Sequence, residues 1–141
     1  DKLLLPIHLG NHWCLAVINF KEKRFEYYDS LGGTNPKCLE VCFLHETVQY
    51  RDPNICSLIS GYENMFKTKV GQEKHEIDLS DWIDYVPEDI PHQQNANDCG
   101  VFMCKFADYQ GRGREYDFDQ RHMPYFRKKM VIEILNKRLS E

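Results

Sequence analysis

The stretch that decides the fold is NHWCLAVINFKEKRFEYYDSLGG, residues 11–33. Residues 14–20 are apolar at almost every position, which is typical of a strand buried on both faces. The charged residues 21–24 form a compact turn, and residues 25–29 carry aromatic side chains in the alternating pattern of a second strand. We therefore predict an antiparallel β-hairpin, which ends where the glycines and the proline of residues 30–36 break the chain.

The composition is that of a single globular domain, which we expect to cover residues 1–141. Of the 141 residues, 42% are hydrophobic and 28% are charged, so the chain can bury a core without cross-links.

No apolar run reaches the roughly 20 residues of a membrane helix, and no signal-peptide pattern opens the sequence. The net charge of −4 argues against a nucleic-acid binder. Six cysteines without a CxxC pair predict reduced thiols rather than disulfides or a zinc site.

Further elements are expected on both sides of the hairpin. They are an edge strand around Pro6, a helix over residues 37–49, a short strand within residues 82–86, a helix from Cys99 that ends at Gly111 and Gly113, and a helix over residues 123–139. The last helix is the clearest, because Phe126, Met130 and Ile134 recur at helical spacing, with Val131 and Leu135 beside them.

Cys99 stands at the point where a polar loop becomes a helical pattern. Asp98 or Asn97 can cap that helix, which places Cys99 in its first turn, where free backbone N–H groups and the helix dipole favour a thiolate. Gly100 leaves room for a substrate backbone to approach. The alternative is a packed core thiol that happens to follow a helix cap. Cys104, about one turn further along, is predicted to be such a core thiol.

A nucleophilic cysteine needs a base, and the base needs an orienting group. His12 precedes the first hairpin strand and Asp29 closes the second, so both lie at the same end of the hairpin. A carboxylate there can fix the imidazole tautomer. The alternative is an exposed histidine beside an aspartate that caps the next turn.

An oxyanion needs hydrogen-bond donors as well. Gln93 and Gln94 precede Cys99 by six and five residues, and either amide could reach the site, with the backbone N–H of Cys99 as second donor. The alternative is a pair of solvated loop side chains.

Together these blocks resemble the catalytic domain of the sentrin/SUMO-specific proteases, which are Ulp-type cysteine proteases with a papain-like core. The blocks are HWCLAVINF…YYDSLGG, IPHQQNANDCGVFMCKFADY and MPYFRKKMVIEIL, with His, Asp, Gln and Cys in the family's order. The resemblance implies an α+β fold, in which a central and mostly antiparallel sheet is flanked by helices and the nucleophile lies at a helix N-terminus. It covers residues 1–44 and 82–139, and residues 45–81 resemble an atypical insertion or connection. Because the family's domain is longer, we expect part of its N-terminal portion to be absent here.

The resemblance also assigns roles to individual residues. It implies His12 as general base, Asp29 as its orienter, Cys99 as nucleophile, and Gln93 rather than Gln94 as the oxyanion donor. It implies substrate binding by Trp13, Leu31 and Gly32, the indole of Trp13 packing over the Gly-Gly tail of a modifier.

The implied reaction is hydrolysis after the C-terminal Gly-Gly of SUMO, both in conjugates to target lysines and in the precursor. The implied partners are SUMO and SUMO-conjugated proteins, and we expect a monomer without metal, cofactor, nucleic-acid or membrane partner. The implied location is the nucleus, with the cytoplasm as a second one. Three alternatives stay open: a SUMO-binding module made weak or inactive by truncation, a protease for another modifier such as NEDD8, and an acyl transferase with a similar triad.

Overall fold

The computed structural model describes residues 2–43 and 80–140, and all statements on structure concern those residues. The elements are β1 Lys2–His8, β2 Trp13–Asn19, β3 Arg24–Tyr28, α1 Pro36–Phe43, β4 Ile83–Tyr85, α2 Cys99–Arg112 and α3 Met123–Asn136, with a short 3₁₀ turn at Gln120–His122. Within these ranges no helix is long and apolar enough to span a membrane. The predicted α+β class is confirmed.

The four strands form one sheet in the order β1-β2-β3-β4. The first two pairings are antiparallel and the third is parallel, so the sheet is mostly antiparallel, as predicted. The predicted hairpin is confirmed, with Asn19 opposite Arg24 and Leu15 opposite Tyr28. Its turn ends at Lys23, which adopts a left-handed conformation with a φ of 52°.

Strand β2 is buried on both faces from Cys14 to Asn19, as its apolar run predicts. Leu15 lies in the core cluster that contains Phe102 of α2, whereas Ala16 lies in the opposite cluster, which contains Leu39 of α1. Helices therefore cover both sides of this strand. A strand packed on both faces is a rigid support for the residue that precedes it, His12.

Helix α2 begins at Cys99, as predicted. Two details differ from the prediction, namely the role of Gly111 at the helix end and the burial of Cys104. Gly113 ends the helix in a left-handed conformation with a φ of 64°, while Gly111 still lies inside it. Cys104 is exposed, so the prediction of a core thiol there is wrong. The inward positions are taken by Phe102 and Phe106, which are 0% and 1% exposed.

The apolar stripe predicted for α3 is correct only near the start of the helix. Phe126 is buried, but Ile134 is 75% exposed and Leu135 is 76% exposed. The tail after α3 doubles back, and both the backbone N–H and the hydroxyl of Ser140 donate to Glu133 Oε1 at 3.0 and 2.6 Å. The tail therefore covers a polar side of α3, and the later apolar side chains remain at the surface.

Two sequence predictions fall partly or wholly outside the described residues. Helix α1 is described from Pro36 to Phe43, so the predicted continuation to residue 49 lies outside them. Most of the predicted insertion over residues 45–81 lies outside them too.

Candidate active site

His12 and Asp29 form a direct hydrogen-bonded pair at one end of the central hairpin. The distance between His12 Nε2 and Asp29 Oδ1 is 2.6 Å, and the two side chains are 14% and 8% exposed. The pairing of β2 with β3 brings the residue before β2 and the residue after β3 together, as predicted. A neutral imidazole that donates from Nε2 to the carboxylate has Nδ1 free to accept a proton.

The turn that follows β3 holds Asp29 in place. The backbone N–H of Leu31 donates to Asp29 Oδ1 at 2.8 Å, and the backbone N–H of Gly32 donates to the Asp29 carbonyl at 2.9 Å. Gly33 lies against the same carboxylate, because a Cβ added there would be only 2.5 Å from Asp29 Oδ2. The carboxylate is thus oriented from both His12 and the turn.

Cys14 lies beside His12 and Asp29, and its thiol is protonated. Its side chain is buried, and burial raises its pKa to about 12, with the charge of Asp29 adding to the effect and a hydrogen bond from the Tyr27 hydroxyl opposing it. A thiol with such a pKa stays neutral near neutral pH. Cys14 is therefore a packed thiol and not a competing nucleophile.

One group of potential metal ligands occurs in residues 2–43 and 80–140. Donor atoms of His12, Cys14 and Asp29 all lie within 4.8 Å of one another. Nitrogen, sulfur and oxygen donors suit zinc, but zinc would require the thiolate of Cys14 and would break the bond between His12 and Asp29. The three side chains are better explained as one hydrogen-bonded unit.

Cys99 is the first residue of α2, and it is buried, with an exposed fraction of 8%. The helix packs against β2, the strand that His12 precedes. Gly100, which follows Cys99, lies close to Trp13, which follows His12. A Cβ added at Gly100 would be 3.6 Å from Trp13 Cδ1. The fold therefore places the start of the cysteine helix beside the start of the histidine strand.

Gln93 is buried and tied to the end of β3 at both its backbone and its side chain. Its backbone N–H donates to the Ser30 carbonyl at 2.8 Å, and its Oε1 accepts from the Ser30 hydroxyl at 2.6 Å. Its Nε2 donates to the Asn95 carbonyl at 2.5 Å. Gln94 is exposed, and its backbone N–H bonds to Gln120 Oε1. Gln93 is thus the fixed glutamine of the pair.

Asp98 is the N-cap residue of α2, one of the two that the sequence offered, but its side chain makes no capping hydrogen bond. It accepts two hydrogen bonds from Arg127, at 2.9 and 2.5 Å, and one each from Gln120 and Asn95, both at 2.7 Å. Burial opposes ionisation of this carboxyl, but these donors outweigh it and lower its pKa. Two of these bonds come from a guanidinium with a full positive charge, which a backbone N–H at the end of a helix lacks, and this explains the difference.

The residues predicted to bind substrate follow His12 and Asp29 in the sequence. Trp13 is 37% exposed and its ring is 4.4 Å from that of His8, measured between centroids. Leu31 is 59% exposed in the turn after Asp29. Gly32 has a φ of 74° in the same turn and lies close to the imidazole of His92.

Three residues, Ser30, Gln120 and Arg127, hydrogen-bond to Gln93 or Asp98, which was not predicted from the sequence. Each acts on a residue far away in the chain, such as Gln93, which is 63 positions from Ser30. Periodicity reports on local structure, so it contains no signal for such pairs. The position of Ser30 directly after Asp29, a candidate site residue, could have indicated its contact with Gln93.

Comparison with known proteins identifies the family. A model of the Ulp1 protease family, C-terminal catalytic domain, matches residues 1–139. The chain belongs to the Ulp1 protease family. The predicted family and the papain-like α+β core are thereby confirmed.

Relatives within the Ulp1 family match nearly the whole chain. A sentrin-specific protease of Caenorhabditis elegans is 38% identical over 139 residues, which are 99% of this chain and 17% of the relative. Ubiquitin-like-specific protease 1A of Arabidopsis thaliana is 38% identical over 96% of this chain and 23% of its own length. Human sentrin-specific protease 2 is 36% identical over 99% and 21%. The chain thus spans at most 23% of the length of these relatives.

Solved structures of the Ulp1 family share the fold. The Ulp1 protease domain in complex with Smt3, the yeast orthologue of SUMO, is 26% identical with a TM-score of 0.63, over 96% of this chain and 52% of that one. The SUMO protease Ulp1 with its catalytic cysteine oxidised to a sulfenic acid is 26% identical with a TM-score of 0.67, over 97% and 53%. The chain covers about half of each solved domain.

Proposed function

We propose that this chain is the catalytic part of a cysteine protease that hydrolyses the bond after the C-terminal Gly-Gly of SUMO. The observation that carries the proposal is the hydrogen-bonded pair of His12 and Asp29 beside the helix that begins with Cys99. Relatives that are named sentrin-specific proteases, and a solved neighbour bound to a SUMO orthologue, support SUMO as the modifier.

In the proposed mechanism, His12 takes the thiol proton of Cys99 on Nδ1, because Nε2 is bound to Asp29. The thiolate attacks the carbonyl carbon of the last glycine, and the electron pair of the C=O bond moves to the oxygen. When this intermediate collapses, the C–N bond breaks and His12 returns the proton to the leaving amine. Water then attacks the thioester with His12 again as base, which releases the SUMO carboxylate and restores the thiol.

Two donors are proposed for the oxyanion of the intermediate. They are the side-chain Nε2 of Gln93 and the backbone N–H of Cys99, which lies at the free N-terminal end of α2. Gln93 is suited to this task because its amide is held by partners at both ends. A donor that is fixed before the reaction needs no reorganisation as the charge develops.

The exposed apolar residues beside the pair are proposed to bind the Gly-Gly tail. Trp13 lies against Gly100, so a chain that passes over the start of α2 would contact its indole. Leu31 and Gly32 line the turn on the side of Asp29. A narrow passage between such groups admits glycine and excludes residues with larger side chains, which would account for the Gly-Gly requirement.

The test is turnover of SUMO that carries a fluorogenic amine on its C-terminal glycine. We expect release of the fluorophore by the chain, loss of release in Cys99→Ala, and retention in Cys104→Ala, since Cys104 is exposed on α2. The same substrate built on NEDD8 is the specificity control. Cleavage of the NEDD8 substrate alone would move the assignment to another modifier. SUMO binding without any cleavage would instead make the chain a binding module.

Three further parts of the proposal concern the protein in the cell. SUMO-conjugated proteins are its proposed substrates, it is proposed to act as a monomer, and its proposed location is the nucleus, with the cytoplasm as a second one. Depletion of the protein should cause SUMO conjugates to accumulate. Light scattering of the purified protein tests the monomer, and imaging of the tagged full-length protein tests the location.

A further inference from the structure

Ser30 forms two hydrogen bonds to Gln93, one of the two proposed oxyanion donors. The Ser30 hydroxyl donates to Gln93 Oε1 at 2.6 Å, and the Ser30 carbonyl accepts from the Gln93 backbone N–H at 2.8 Å. Ser30 is 1% exposed and Gln93 is 8% exposed, so water does not readily replace either bond. The connection joins two loops that lie 63 residues apart in the sequence.

The hydrogen bond to Ser30 fixes which way the side-chain amide of Gln93 is oriented. A glutamine amide has one oxygen that accepts and one nitrogen with two hydrogens that donate. With Oε1 of Gln93 bound to Ser30, Nε2 is turned the other way, where one hydrogen goes to the Asn95 carbonyl. The second hydrogen of Nε2 is then available for an oxyanion. The reversed amide would bring Oε1 against the carbonyl of Asn95, where two acceptors repel each other.

We propose that Ser30 is a positioning residue that holds Gln93 as an oxyanion donor, an inference that rests on the proposed thiol chemistry of Cys99. Without the hydroxyl, Oε1 of Gln93 becomes a buried acceptor that lacks its donor. The side chain then relieves this cost by rotating toward water, and the rotation carries Nε2 away from its place. Ser30 directly follows Asp29, so one dipeptide orients both the base and the oxyanion donor.

This role predicts a specific kinetic signature. Loss of an oxyanion donor in a serine protease lowers kcat by about 10²–10³-fold. We expect Ser30→Ala to lower kcat by about 10-fold, because Gln93 is misplaced rather than removed. The charge exists only in the intermediate, so KM should hardly change. In a chain that already carries Gln93→Ala, loss of the hydroxyl should have no further effect on the rate.

The experiment compares two reactions of Cys99 that need no modifier. Acylation by p-nitrophenyl acetate builds an oxyanion, whereas alkylation by iodoacetamide does not. Each rate is corrected by subtracting that of Cys99→Ala, which removes the contribution of the other thiols. We expect Ser30→Ala to slow acylation about 10-fold, to leave alkylation unchanged, and to have no effect in the Gln93→Ala background. Equal slowing of both reactions, or an undiminished effect in that background, would overturn the proposal.

Controls separate the role of the hydroxyl from effects on folding. Ser140→Ala is the matched substitution, since that exposed hydroxyl donates to Glu133, near the C-terminal end of α3. If Ser30→Ala does not fold, Ser30→Thr and Ser30→Val replace it, because the two side chains share a shape and differ in the hydroxyl. Faster acylation in the threonine variant supports the proposal, and equal rates refute it. A chain that fails to cleave SUMO still gives these results, so the two proposals fail separately.

Discussion

Arg127, in the last helix, holds Asp98, the residue directly before the proposed nucleophile. Its Nε and one terminal nitrogen donate to Asp98 Oδ1 at 2.9 and 2.5 Å, and the same nitrogen reaches the Asn97 carbonyl at 2.8 Å. Asp98 is buried, so an unpaired charge there would be costly. The guanidinium therefore compensates a buried negative charge that lies directly beside the proposed nucleophile.

The first prediction concerns this pair. Arg127→Gln should lower the free energy of unfolding by about 1.5–3 kcal/mol, because it removes charge-assisted bonds to a buried carboxylate. It should also slow alkylation of Cys99, since the charge of Asp98 is left without its main partner. Urea unfolding and iodoacetamide kinetics measure the two effects. Arg121→Gln is the control, because Arg121 pairs with Asp119 at the surface. Equal effects of the two substitutions would contradict this account.

The second prediction concerns Gly33, next to the carboxylate of Asp29. A Cβ there would lie 2.5 Å from Asp29 Oδ2, and Asp29 cannot easily yield because His12 and Leu31 hold its other oxygen. Gly33→Ala should therefore displace the carboxylate and lower kcat on the order of 10²-fold.

Gly111→Ala is the matched control for that substitution. Among the described residues its added Cβ would meet Leu4 Cδ1 alone, at an ordinary 3.8 Å, and Gly111 lies inside α2. We expect unchanged activity and a gain in stability of up to about 1 kcal/mol, because alanine favours helix. Full activity of Gly33→Ala would show that the position of Asp29 is not critical.

The third prediction is a loss of stability in alkaline solution through Cys14. Burial raises the pKa of this thiol from 9.0 to about 12. A raised pKa favours the neutral thiol in the folded state, so its contribution to stability is complete below pH 9.0 and declines as pH rises toward 12. The decline is up to about 1.4 kcal/mol per pH unit. Urea unfolding over this range should therefore show a shallower pH dependence in Cys14→Ala than in the original chain. Parallel curves for the two would contradict the assignment.

The fourth prediction tests Asp29 as the orienter of His12. Asp29→Asn keeps the shape of the side chain but removes its charge and favours the wrong imidazole tautomer. We expect kcat to fall by about 10²–10⁴-fold with little change in KM, as for the equivalent change in a serine protease triad. Steady-state kinetics on the SUMO substrate measure both constants. Asp84→Asn, at an exposed position in β4, should leave both unchanged. An active Asp29→Asn variant would remove Asp29 from the mechanism.

Local features of the fold and site could be predicted from the sequence because short-range geometry fixes them. The antiparallel pairing of two strands joined by a tight turn brings His12 and Asp29 to the same end of the hairpin, where they are in contact at 2.6 Å. The start of α2 at Cys99 follows equally from the change of a polar loop into a helical pattern.

Features that depend on distant partners could not be predicted. The role of Asp98 as a cap was the obvious local interpretation, yet Arg127, 29 residues away, provides stronger bonds. The same limit applies to α3, where helical periodicity predicted burial of Ile134 although nothing in the described residues covers it. Periodicity shows which side of a helix is apolar but not which segment packs against it.

The central claim is that Cys99 is the nucleophile, and the site of covalent capture tests it most directly. SUMO with an electrophile in place of its C-terminal carboxyl is mixed with the chain, and the modified peptide is mapped by mass spectrometry. We predict a single adduct on Cys99, which is absent in Cys99→Ala and retained in Cys104→Ala. An adduct on Cys104 or on another cysteine, or no adduct although SUMO binds, would contradict the account.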